Sequence, residues 1–134
     1  MTVAIDTNIL ARYILKDDAV QTALAVKLID LDCSANCQAL VSNQVLSEMY
    51  WLLSRKVRAS RSQIASLFWD LLDNPHLAFE GPTTVAQAVQ DYAQGPAGFV
   101  DYLIGAVAMS RGAVPVYTFD DDAAKRPPFQ LLKS

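Results

Sequence analysis

Short apolar runs recur along this chain, and each leads through a turn into a segment of helical spacing. Val3-Ala4-Ile5, Ala39-Leu40-Val41, Leu77-Ala78-Phe79 and Val114 to Phe119 are the runs. All are too short for an ordinary helix, and three of the four carry β-branched residues, so they read as strands. Strands separated by helices fold as a mainly parallel sheet, because a parallel connection needs a long crossover. Helices then cover both faces of that sheet. The expected fold class is therefore α/β, with a mainly parallel central sheet flanked by helices, in a single domain over residues 1–134.

The helical periods between the runs are well marked. One helix runs from Thr7 to Leu15, and a second follows the Asp17-Asp18 break through Ala23, Val26, Leu28 and Ile29. Ser42-Asn43 caps a third, with Val45, Leu46, Met49, Leu52 and Leu53 on its apolar side. A fourth starts at Ser60, carries Ile64, Leu67, Phe68, Leu71 and Leu72, and stops at Asp73-Asn74-Pro75. Thr83 or Thr84 opens a fifth. After the loop Gly95-Pro96-Ala97-Gly98, residues Tyr102 to Met109 are apolar almost all round, which suits a helix buried against the sheet. Pro127-Pro128 closes a short helix, and Phe129 to Leu132 reads as a last edge strand.

Acidic residues stand at telling places in this frame. Asp6 directly follows the first run, which reads as a strand buried on both faces and central in the sheet. Asp120 directly follows the fourth. Both then project from the carboxyl edge, where open α/β sheets hold ligands. Asp101 falls in the first turn of the buried helix, and Glu48 lies within or beside the third helix's apolar stripe. Each has a plain structural reading too: Asp6 and Asp101 as helix caps, Glu48 as a surface residue near Arg55. Asp122 shares the acidic turn with Asp120 and is a substitute for it. Four carboxylates able to converge on one crevice suit a hard divalent cation, Mg²⁺ or Mn²⁺, which prefers oxygen ligands. Such ions in acid-lined clefts serve phosphate chemistry.

Charge and composition narrow the classes. The net charge of −3 argues at first against a polyanionic partner. With the four site acids set aside, ten acids face eleven bases, so the remaining surface tolerates RNA. The one dense basic cluster is Arg55, Lys56, Arg58 and Arg61; with Arg12 it supplies the candidate RNA contacts, or it is simply solvated surface. Cys33 and Cys37 lack a second ligand pair for zinc and read as free thiols. His76 follows Asn74-Pro75 as a turn residue. No apolar run reaches the roughly 18 residues of a membrane span, and the N-terminus carries no basic lead or cleavage site, so a cytoplasmic protein is expected.

Taken in order, Asp6-Thr7-Asn8, the Glu48 helix, Phe99-Val100-Asp101-Tyr102-Leu103-Ile104 and Thr118-Phe119-Asp120 resemble the PIN-domain nucleases. More narrowly, Ile9-Leu10-Ala11-Arg12-Tyr13 and the closing Phe129-Gln130-Leu131-Leu132 resemble the VapC-type toxins of bacterial toxin–antitoxin pairs. The resemblance implies a PIN-like α/β/α sandwich and a Mg²⁺/Mn²⁺-dependent endoribonuclease. Asp6 and Asp101 would hold the metal directly, with Glu48 and Asp120 acting through water or a second ion. Asn8 and Thr118 would orient the carboxylates. It further implies a homodimer and a cognate VapB-like antitoxin, with an apolar segment along the first helices and a basic side chain in the acidic site. Trp51, Phe68 and Trp69 are candidate antitoxin contacts. One departure stands out: Gly98 occupies a position that is acidic in many relatives.

Other readings compete. A PIN-like regulatory module that binds RNA or protein without turnover keeps the same fold, and Gly98 is its support. A phosphatase with an aspartyl nucleophile wants a second acid two residues after the first, where Asn8 stands. A nucleotide-binding Rossmann protein wants a Gly-rich phosphate loop that the chain lacks.

Overall fold

The structure, a computed structural model, describes residues 2–134. Among the described residues five strands alternate with six α-helices. They are β1 (Val3–Ala4), α1 (Thr7–Leu15), α2 (Ala19–Val26), β2 (Ala39–Val41), α3 (Asn43–Trp51) and α4 (Arg61–Asp73), then β3 (Leu77–Phe79), α5 (Pro82–Gln94), α6 (Phe99–Ser110), β4 (Val116–Thr118) and β5 (Phe129–Leu131). Wider π turns extend α2 through Lys27–Asp32 and α3 through Leu52–Lys56. The capping residues explain the helix starts. Asp6, Asp18, Ser42 and Ser60 each accept a hydrogen bond from the backbone N–H three residues on. Helix α5 begins at Pro82, ahead of the threonines expected to open it, because proline suits the first helical position.

Every strand pair is parallel, as the alternation of elements predicts. The strands form two ladders, β1-β2-β3 and β4-β5. Strand β1 is therefore the outer strand of its ladder and not the central strand expected from its sequence. Its burial differs to match: Val3 is 40% exposed, Ala4 is exposed, and Ile5 alone of the run is buried. With neighbours on one side only, the apolar run meets the core at one residue.

The core lies between the three-stranded ladder and the helices. Leu10, Ile29, Val41, Leu46, Met49, Ile64, Val85 and Val89 fill it, with the rings of Tyr50, Phe68, Tyr92 and Phe99 stacked tilted or edge-on. Phe68 is 1% exposed, so it is a core residue and not the surface contact expected for an antitoxin. No helix among the described residues is long and apolar enough to cross a membrane.

Two devices set the parts that carry the acidic residues. Arg61 donates hydrogen bonds to the carbonyls of Tyr92, Gly95 and Ala97 at 2.8, 2.6 and 2.7 Å, and its guanidinium lies 4.1 Å from the Tyr92 ring centre. This fork pins the loop that feeds α6. Gly105 does the same for the C-terminal ladder. A Cβ placed there would stand 2.7 Å from the Phe129 ring of β5. We expect Gly105→Ala to push Phe129 off α6 and cost about 1–3 kcal/mol, as small-to-large changes in packed contacts do. Chemical denaturation measures this directly, and an unchanged midpoint would show that the Gly105–Phe129 contact is slack.

Candidate functional site

The parallel register determines where the first two acidic residues stand. Val3 pairs with Ala39 and Ala4 with Leu40, so Asp6 and Ser42 leave their strands side by side at the carboxyl edge. Asp6 caps α1, its Oδ1 accepting from the Ile9 N–H at 3.0 Å. Ser42 starts α3, which carries Glu48 back over the same edge. The Thr7 hydroxyl donates to Glu48 Oε2. Asp6, Thr7, Gln44 and Glu48 line one open cleft of about 410 Å³.

The other two acidic residues come from the C-terminal third. Asp101 sits in the first turn of α6, half-buried, with Oδ2 accepting from the Gly98 N–H at 3.3 Å. Burial pushes its carboxyl above the ordinary aspartate value, the Gly98 N–H works against this, and the charge of Asp120 adds to it. The Asp120 turn is locked twice: the Asp120 N–H donates to Thr118 Oγ1 at 3.0 Å, and Asp120 Oδ1 accepts from the Asp122 N–H at 2.9 Å.

One pattern unites the four. In each, one oxygen accepts a single internal hydrogen bond that orients the group, and the second oxygen has no partner among the described residues. Among those residues, none of the four is ion-paired to a lysine or arginine. Asp122 differs, since Lys125 holds its Oδ1 at 3.1 Å.

Asp6 and Glu48 share one cleft, while Asp101 and Asp120 come from the C-terminal third and are linked by charge alone. Among the described residues, no three acidic, histidine or cysteine side chains form a cluster able to hold a metal ion. The convergence of four carboxylates expected from the sequence is therefore not seen as one cluster among the described residues; Mg²⁺ needs only one or two carboxylates, with waters and substrate phosphates completing its shell. The donors are hard oxygens, oriented and free of competing cations. They suit such an ion as open, oriented donors and not as a closed cage.

The remaining candidates divide clearly. Thr118 fixes the Asp120 turn, whereas Asn8 is exposed and makes no side-chain hydrogen bond among the described residues. Arg12 is occupied by Asp17 and Gln21, and Arg61 by its three carbonyls. Arg55 lies over Trp51 and not beside Glu48. Lys56 and Arg58 are exposed and form no ion pair among the described residues. Cys33 and Cys37 are free thiols, and the His76 ring contacts the Ile29 carbonyl at 2.7 Å.

Two residues went unread in the sequence. Thr7 holds Glu48, and its hydroxyl beside Asp6 was the available signal. Glu80 directly follows β3, as Asp6 follows β1 with Ile5 between, and its Oε1 accepts from the Asn43 N–H at 2.6 Å, at the start of α3. Gly98 also gains a reason. A Cβ there would lie 3.1 Å from Tyr50 Oη and 3.5 Å from Asp101 Oδ2, so a larger residue crowds both.

With this geometry in place, comparison with known families is informative: the sequence matches the PIN domain family over residues 3–128. Neither the curated proteins nor the solved structures gave a match.

Proposed function

The chain belongs to the PIN domain family, and from that premise we propose that it is a Mg²⁺- or Mn²⁺-dependent endoribonuclease, the toxin of a VapBC-like toxin–antitoxin pair. PIN domains are in general nucleases, and those nucleases typically use Mg²⁺ or Mn²⁺. The observation that carries the finer reading is the shared state of Asp6, Glu48, Asp101 and Asp120: each is oriented by one hydrogen bond and keeps one oxygen unpartnered. Carboxylates without a cationic partner repel one another where they come close, which is costly unless a cation joins them.

In this reading Asp6 and Asp101 would hold the cation directly, and Glu48 and Asp120 would contribute through water or complete a second ion's shell. A bound cation would supply Lewis-acid chemistry, activation of water and stabilisation of charge on the scissile phosphate. The protein's own part is orientation. Thr7 keeps Glu48 turned toward the cleft, the Ile9 N–H fixes Asp6, and Thr118 holds the Asp120 turn. In the cation-free protein burial raises the Asp101 carboxyl above its ordinary value, so at low pH a proton competes with the cation for it and cation binding weakens. Asp120 is favoured over Asp122, whose charge Lys125 already neutralises.

The surface supports both protein partners of this reading. Val20 and Leu24 on α2, with Leu31 just beyond, are 72%, 63% and 75% exposed, an apolar row suited to an antitoxin segment. Ile104 and Met109 on α6 are half exposed and suit a second copy of the chain. The cellular site of action is the cytoplasm, where RNA and antitoxin meet.

The test is direct. Purified protein cleaves RNA with Mg²⁺ or Mn²⁺, and excess chelator stops it; undiminished cleavage in chelator sinks the reading. Thr7→Val frees Glu48 and lowers cleavage about tenfold or more, the usual effect of losing an orienting partner of a metal-site group. Wild-type rates from that variant would remove Thr7 from the machinery. The competing non-catalytic module rests on Gly98, and it gains if Mn²⁺ fails to raise the melting temperature.

A further inference from the structure

We infer that Trp51 and Arg55 form a base-stacking subsite that holds one unpaired nucleotide of a single-stranded RNA beside the acidic cleft. The inference rests on the nuclease reading and narrows its substrate. Glu48, Trp51 and Arg55 follow one another along α3 and its π extension at steps of three and four residues. Residues so spaced are neighbours on a helix surface. The contact between the last two is explicit: the Arg55 guanidinium carbon lies 4.1 Å from the Trp51 ring centre. Trp51 is nevertheless 40% exposed, although Tyr50 packs against it with ring centres 5.0 Å apart.

Two further facts point to nucleic acid as the occupant. Among the described residues Arg12, Lys27, Lys125 and Arg126 are all paired to carboxylates, while Arg55, Lys56 and Arg58 are not. Lys16, Arg111 and Lys133 are also without an ion pair among the described residues but stand apart in the sequence, whereas Arg55, Lys56 and Arg58 fall within four residues at the end of the helix that carries Glu48. An indole layered with a guanidinium offers a flat, polarisable platform to any base, and adjacent positive charge holds the backbone. A base inside a duplex has no free face, so the platform selects unpaired strands. Stacking of this kind reads no base edge and tolerates sequence.

The experiment uses the full chain with Trp69→Phe, which leaves Trp51 as the only tryptophan. Its fluorescence is titrated in chelator, which prevents hydrolysis, with a short oligouridine and with an RNA duplex of equal length. The oligouridine is expected to quench the signal saturably, and the duplex to bind several-fold more weakly at the same salt. Trp51→Ala, followed by anisotropy of labelled RNA, is expected to weaken single-strand binding about tenfold, within the range measured for base–aromatic stacks. Trp51→Phe restores most of that affinity, and Arg55→Gln reduces its salt dependence. Matching thermal melts of the variants confirm the fold. Unchanged affinity in Trp51→Ala, or equal quenching by duplex and single strand, overturns the subsite. If wild type still cuts RNA in that event, the nuclease reading stands and only the subsite falls. If wild type neither binds nor cuts RNA, both fall.

Discussion

Asp6→Asn and Asp101→Asn are each expected to lower the proposed RNA cleavage by about a thousandfold or more, while both proteins remain folded. In free energy this is about 4 kcal/mol of transition-state stabilisation. The size follows from the proposed role: a neutral carboxamide offers a hard cation far less than a carboxylate, and without the cation the attacking water and leaving oxygen lose their charge stabilisation. The fold survives because the structural role of each side chain needs only one acceptor oxygen. Asp6 Oδ1 takes the Ile9 N–H and Asp101 Oδ2 the Gly98 N–H, and the asparagine carbonyl replaces either. On the proposed toxin role, expression of wild type is expected to arrest growth and expression of the Asn variants is not. Turnover within tenfold of wild type in either variant would remove that residue from the site. Equal growth of wild-type and Asp6→Asn cells would end the toxin role but leave the nuclease chemistry standing.

Much of this architecture was legible because local signals carry it. Asp18, Ser42 and Ser60 cap helices where the sequence places them, and β2 and β3 occupy the runs Ala39–Val41 and Leu77–Phe79. The lateral order of strands was less legible. An apolar run such as Val3-Ala4-Ile5 states its strand character but not how many neighbours it has, and only pairing decides that β1 lies at the edge of its ladder. The acidic residues show the same boundary. Position after a strand marks Asp6 and Asp120, yet it also marks Glu80, which bonds the start of α3. What separates them is a hydrogen-bond partner distant in sequence. Thr7 and Glu48 meet across 41 residues, and no local pattern announces such a contact. Arg61 makes the same point from the basic side. It reads as one of a cationic cluster, but the carbonyls that claim it lie on α5 and in the loop beyond.

The cation-free protein should gain stability at neutral pH when Asp101 becomes Asn, and Mn²⁺ should reverse the order of the two proteins. Burial, reinforced by Asp120, raises the folded pKa of Asp101 above its unfolded value of 3.8. For an acid shifted upward, the folded state prefers the protonated form. Its favourable contribution is therefore complete below the unfolded pKa and is lost as pH climbs through the folded one. At pH 7 the ionised Asp101 thus burdens the fold, and Asp101→Asn lifts the burden while keeping the acceptor for Gly98. The α6 dipole favours the charge and works the other way, but the shift is upward nonetheless. Near pH 3 the two proteins should converge, since aspartic acid and asparagine are then both neutral. Mn²⁺ at about a hundred times its Kd adds about 2.7 kcal/mol to a protein that binds it only when folded, and little to a variant missing a direct ligand. Denaturation with and without Mn²⁺, at both pH values, measures all four differences. A cation-free Asp101→Asn protein less stable than wild type at pH 7 would show that the charge supports the fold, and would remove the strain that a bound cation is proposed to relieve.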